Sequence, residues 1–100
     1  MFVLIARWTV IPEHIETVLE ALGRMTAAVE ANEPGCVMYQ SNRSIDDPNV
    51  IVLYERYVDE AAFEVHGQSE HFKSIVLGEI VPLLAARSRE TFTAVHRTDG

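Results

Sequence analysis

One cysteine in 100 residues, no glycine-rich phosphate loop and no apolar run long enough to cross a bilayer are what this chain conspicuously lacks, and its 8 lysines and arginines are outnumbered by 15 acidic residues. Each shortage excludes something. The single thiol, Cys36, cannot close an intrachain disulfide, and its expected place inside a strand makes it a buried rather than a reactive group, so a reducing cytoplasm fits. Without a dinucleotide fingerprint or a cysteine cluster there is no motif for flavin, haem or zinc. The net charge of -7 repels phosphate backbones and anionic lipid, which excludes nucleic acid and membrane surfaces as partners. The apolar start, Phe2 to Ile11, is broken by Arg7 and has neither a basic lead nor a small-residue cleavage site; it reads as a first strand.

What is present describes one globular domain. Hydrophobic residues make up 48% and charged residues 23%, without repeats or low-complexity runs. A single domain over residues 1–100 is long enough to bury roughly two-thirds of its unfolded surface without staples. Only Arg97 to Gly100 reads as a disordered tail.

In Phe2 to Val10 both strand faces are largely apolar, Leu4, Ala6 and Trp8 on one and Val3 and Ile5 on the other. Pro12 suits a first helical turn and Glu13 and Glu16 its positive end, while Ile15, Val18, Leu22, Met25 and Val29 recur at three- and four-residue steps. One amphipathic helix is therefore expected from near Pro12 to near Asn32. Glu33-Pro34-Gly35 stops it, and Cys36 to Gln40 is a second strand, joined through the turn cluster Asp46-Asp47-Pro48-Asn49 to a third at Val50 to Tyr57. Asp59 offers a cap to a helix opening at Glu60, Gly67 is placed to end it in the left-handed conformation, and Ser69 to cap a further helical stretch carrying Phe72, Ile75, Val76 and Ile80. Thr91 to His96 closes the chain as a fourth strand. The order β-α-β-β-α-β is that of a ferredoxin-like α+β fold, an antiparallel sheet with helices on one face.

Two histidines flank the helix-to-helix joint. At a helix C-terminus His66 is favoured as imidazolium; in a first turn His71 is disfavoured, which pushes the two apart in basicity. They are either an acid/base pair on one cavity or two surface histidines at helix ends. A five-residue step turns about 140° on a continuous helix, so the pair does not stack as metal ligands, and no metal site is expected.

With Glu33-Pro34-Gly35-Cys36 ending the first helix, Val52-Leu53-Tyr54-Glu55-Arg56-Tyr57 as the central strand, then Asp59-Glu60-Ala61-Ala62-Phe63, His66 and Ser69-Glu70-His71-Phe72, nearly the whole chain resembles the antibiotic biosynthesis monooxygenase family of dimeric α+β barrels. The family includes quinol and polyketide oxygenases, haem degraders and a signal-molecule isomerase. Where haem degraders are similar but carry asparagine, tryptophan and histidine, this chain has Ala6, His66 and Val76. At the polar residue, tryptophan and tyrosine of the polyketide oxygenases it has Leu53, Tyr57 and Phe63. The quinol-oxidising type is the closer match, and the oxygenase members use no flavin, haem or metal.

The resemblance implies a cofactor-independent monooxygenase with a small aromatic substrate and dioxygen as partners. Such chemistry needs a base near the substrate hydroxyl, a dry apolar pocket and a few orienting donors. His66 or His71 is the candidate base, with His66 at the family's pocket position. Tyr57 and Trp8 supply ring faces and donors, and Leu53, Phe63 and Phe72 the wall. Glu55, of the same strand parity as Tyr57, is either a pocket carboxylate or an edge charge. A non-catalytic ligand-binding or stress-response dimer and an isomerase of a small oxygenated signal molecule are the alternatives. Helices can cover only one face of the sheet, yet Val3, Ile5, Val52 and Tyr54 make the other apolar too. A homodimer packed sheet to sheet is expected, with Arg7 and Arg56 pairing acids at its seam and an interface on the order of 2,000 Å². Light scattering at micromolar concentration should return a dimer mass, and a monomer mass would contradict this.

Overall fold

A computed structural model describes residues 1–98. In it β1 (Phe2–Val10) is followed by a 3-10 turn (Pro12–His14), α1 (Ile15–Asn32), β2 (Cys36–Arg43), β3 (Val50–Tyr57), α2 (Glu60–Gln68), a π-helix (Phe72–Ile80), a second 3-10 turn (Val81–Leu83) and β4 (Leu84–Thr93). The strands form one antiparallel sheet in the order β2-β3-β1-β4, as a ferredoxin-like chain requires. Of the tail expected from Arg97, Asp99 and Gly100 lie outside the described residues, and Arg97 and Thr98 have no regular structure. No helix among the described residues is long and apolar enough to cross a membrane.

The sheet's inner face meets α1 and the π-helix. Ala6, Trp8, Val10, Ile51 and Leu53 pack there against Val18, Ala21, Leu22, Met25 and Val29 of α1 and Val76 and Ile80 of the π-helix. Burying each of the larger side chains contributes about 1.5–3 kcal/mol, so this layer is the main source of stability. The opposite face carries Ile5 against Tyr54, Arg7 against Val52 and Val3 between Arg56 and Phe92, turned away from both helices.

Three sequence expectations change. β4 begins at Leu84 and ends at Thr93, seven residues earlier than the expected start at Thr91; its residues are exposed and mostly polar, and the strand is held by its register with β1, from Phe2 opposite Thr93 to Val10 opposite Leu84. Pairing, not apolar periodicity, makes this edge strand. β2 likewise runs three residues past Gln40, to Arg43, along β3. Gly67 does not adopt the left-handed conformation: no described residue has a positive φ, and α2 continues to Gln68 with Ser69 at its end. The stretch after the joint is a π-helix, whose wider turn suits apolar residues stepping by four, Phe72, Val76 and Ile80.

Gly35 fixes how α2 sits. Its carbonyl accepts from the Val58 N–H at 2.9 Å, and a Cβ added to it would stand 2.7 Å from the Ala62 Cβ. That close approach seats the first turn of α2 against the end of α1, and His66, one turn beyond Ala62 on the same helix face, is carried over Glu33. Gly35→Ala should therefore lower stability by about 1–3 kcal/mol. Ala62→Gly in the same chain should recover part of that loss, giving non-additive urea midpoints. Additive midpoints would show that the contact does not position α2.

Candidate active site

Local capping holds the two-histidine joint. The Asp59 carboxylate accepts from the Ala62 N–H at 2.9 Å and opens α2. At the far end the Ser69 hydroxyl donates to the His66 carbonyl at 2.7 Å and accepts from the Phe72 N–H at 3.2 Å, so one side chain closes α2 and starts the next turn. His66 is thereby fixed on the inner side of α2 and His71 just beyond the joint.

Between these segments and the sheet lies a cavity of about 610 Å³. Leu4, Ala6 and Trp8 of β1 with Glu55 of β3 line its sheet side, and Tyr39, Phe63, His66, Phe72 and Val76 close round it. Glu64, Gly67, Gln68 and Leu77 from the helices and Arg87, Ser88 and Arg89 from β4 form its exposed rim. Ala6, smaller than Leu4 and Trp8 on either side, leaves depth at the centre.

A chain of hydrogen-bonding groups runs into this cavity from the protein's edge. His71 Nε2 lies 2.5 Å from Glu33 Oε2, and His66 Nδ1 lies 3.0 Å from both Glu33 oxygens. A carboxylate only accepts, so the two imidazoles donate to it, and His66 is held with Nδ1–H toward Glu33 and its Nε2 lone pair free. That Nε2 is 3.8 Å from Glu55 Oε1, too long for a direct bond, and Glu55 Oε1 in turn accepts from the Tyr57 hydroxyl at 2.6 Å. The Glu33 and His66 side chains are each 3% exposed and that of His71 15%, so the chain leads from a dry interior outward.

Aromatic rings keep the imidazole dry. Tyr39, Tyr57 and Phe72 stand with ring centroids 5.5, 5.5 and 5.3 Å from His66. Burial pushes the His66 pKa below its ordinary value, outweighing the pull of Glu33 in the other direction. This reverses the helix-end expectation that His66 favours the imidazolium: partial charge at a helix terminus is a smaller effect than desolvation. Burial, reinforced by the charge of Glu33, pushes the Glu55 carboxyl up to about 7 against the Tyr57 hydrogen bond. Burial also raises Tyr39 well above its ordinary range, leaving a protonated hydroxyl, a donor, on the cavity wall.

Of the residues singled out in the sequence, Trp8, Phe63, His66 and Phe72 meet on the cavity, and Glu55 is a pocket carboxylate rather than an edge charge. Three others stand elsewhere. Leu53 is in the closed core, fully buried opposite Ala6 on the inner face of β3, in the cluster that α1 completes. Tyr57 is fully buried outside the cavity lining and is linked to it by its hydrogen bond to Glu55. His71 touches Glu33, not the cavity lining, so the two histidines share a carboxylate and not a pocket. Sequence reasoning missed Glu33, Tyr39 and the β4 arginines. Glu33 had a readable signal, an acid at the negative end of a helix where a cation is favoured. Arg87 and Arg89 would have fallen on one face had Leu84 to Glu90 been read as strand.

Fold and cavity define a small ferredoxin-like α+β domain built round a carboxylate-held imidazole. With residues 1–76 matching its pattern, the chain belongs to the antibiotic biosynthesis monooxygenase family. A Caulobacter crescentus protein assigned to that family is similar with a TM-score of 0.89 at 30% identity, over 95% of this chain and 90% of its own. One from Nitrosomonas europaea gives 0.85 at 26%, over 96% and 100%, and PA3566 of Pseudomonas aeruginosa 0.83 at 27%, over 95% and 94%. None of the curated protein sequences matches the chain.

The buried Glu55 makes stability depend on pH. The folded chain takes up this proton at about pH 7 and the unfolded chain near 4.5, so the contribution is fully present below pH 4.5 and is lost as pH rises through 7. Glu55→Gln keeps an acceptor for Tyr57 and removes the titration. Relative to wild type it should gain on the order of 3 kcal/mol between pH 4.5 and 8, read from urea midpoints. A pH-independent difference would contradict the assignment.

Proposed function

We propose that the chain is a cofactor-independent monooxygenase acting on a quinol or another reduced aromatic small molecule. The observation that carries this reading is the orientation of His66, with Nδ1 tied to Glu33 and Nε2 left unbonded, 3.8 Å from Glu55 on the wall of a cavity that Trp8, Tyr39, Phe63 and Phe72 also line. A substrate hydroxyl placed at Nε2 loses its proton there, and the imidazolium formed is stabilised by the carboxylate behind it. Low polarity then raises the reactivity of the phenolate toward dioxygen. For a hydroquinone with a free ring position, a carbon–oxygen bond forms and the resulting hydroperoxide collapses to a hydroxyquinone and water. All four electrons come from the substrate and one oxygen atom stays in the product.

Three groups assist. Protonated Tyr39 donates to the substrate oxygen, Trp8, Phe63 and Phe72 offer ring faces, and Glu55, titrating near 7, exchanges a proton on the far side of Nε2. His71 connects Glu33 to the protein's edge and acts through it as a positioning residue. The homodimer belongs to the same reading. None of the described helices covers the outer sheet face, where Ile5, Val52 and Tyr54 stand, and there Arg56 is buried with its Nη1 on the Tyr54 hydroxyl at 2.9 Å and, among the described residues, its Nε without a partner, a donor for an acceptor across the seam.

Oxygen uptake over a panel of hydroquinones and anthrones, with chelator present, tests the reading. On the best substrate His66→Ala should lower turnover roughly 10²-fold or more and remove the acidic limb of the pH profile, which lies below pH 6.5 because His66 must be neutral. Glu33→Gln should lower turnover less, about tenfold, and His71→Ala least. Wild-type uptake in the His66→Ala, His71→Ala double variant would show that histidine is not the base.

A further inference from the structure

Two of the chain's eight basic residues, Arg87 and Arg89, stand side by side at the cavity rim, on a protein that is otherwise strongly acidic. The register explains why both are there. Arg89 is opposite Ala6 and Arg87 opposite Trp8, so they share the inner face with the cavity's sheet side, on the far side of β1 from Glu55. Among the described residues neither makes an ion pair: the carboxylates of Glu55 and Glu64 line the same cavity without bridging to them. Arg89 is instead placed by an aromatic, its guanidinium carbon 5.7 Å from the centre of the Phe63 ring, and Phe63 is itself stacked on Phe2 at 4.8 Å.

Resting on the reading of the cavity as an oxygenase site, we infer that its substrate is an aromatic acid: a reduced ring whose hydroxyl meets His66 and whose carboxylate is taken by Arg87 and Arg89. The two ends are set apart by the sheet. β3 and β4 flank β1, so Glu55, whose Oε1 is 3.8 Å from His66 Nε2, lies about two strand spacings, or ~10 Å, from the arginines at the backbone. One or two fused rings over Ala6 span what remains after the side chains reach inward. A chain of net charge -7 repels free anions, so recruiting one requires local cations of this kind, and a guanidinium fork suits a carboxylate in particular. Glu55 does not oppose it strongly, since its carboxyl is partly neutral near pH 7.

Anaerobic calorimetry with 1,4-dihydroxy-2-naphthoate and its methyl ester tests the inference, because the two share ring and hydroxyls and differ in the charge. Wild type should bind the acid about tenfold or more tightly, with a preference that shrinks as salt is added. In Arg87→Gln/Arg89→Gln the ratio of the two affinities should fall toward one. Equal affinities in wild type, or a preference that survives in the double variant, would overturn the anion site. Oxygen uptake measured separately keeps the two readings apart: an acid preference without oxygen consumption supports the anion site and removes the oxygenase reading, whereas equal turnover of acid and ester does the reverse.

Discussion

Everything in the cavity depends on one buried carboxylate. Glu33 ends α1, and its two oxygens take N–H donors from the end of α2 and the start of the π-helix. A carboxylate removed from water without partners costs several kcal/mol, so the three segments are tied to one another by a group none of them could bury alone. The tie is also an orientation. Because Nδ1–H of His66 serves Glu33, its Nε2 is left without a hydrogen bond, 3.8 Å from the cavity-lining Glu55.

Glu33 sits where helix electrostatics alone would not put an acid. A local preference broken at a buried position is the mark of a constraint imposed by something else, here the imidazole pair. The second carboxylate follows from the first. Glu55 is buried on the opposite side of the same imidazole, and burial with the neighbouring charge of Glu33 lifts it to about 7. Two acids about one histidine are thus given different work by their surroundings, one a fixed acceptor and the other a group that exchanges protons near neutrality.

The strands and helices that bury apolar faces were readable from the sequence because their periodicity reports burial directly. β1, α1 and β3 lie where the pattern of Phe2–Val10, Ile15–Val29 and Val50–Tyr57 puts them. β4 was not, since an edge strand of exposed polar residues owes its existence to pairing with β1. The site divides in the same way. Trp8, Phe63 and Phe72 follow from apolar patterning and His66 from family resemblance, whereas the separation of His71 from the cavity depends on Glu33 standing between the two rings. Tyr39 and Arg89 belong to strands whose partners, not their own residues, decide what they face. Gly67 shows the limit of local rules: a residue able to end a helix need not do so when the next residue but one carries the cap.

The central claim is that Glu33 fixes His66 as a neutral base with a free Nε2. Nitrogen-15 resonances of the imidazoles report tautomer and charge directly. The account predicts that at pH 7 His66 is the neutral Nδ1–H tautomer, that it titrates below 6.5, and that Glu33→Gln disturbs this state. A His66 protonated at Nε2 at pH 7, as the other tautomer or as imidazolium, would contradict it.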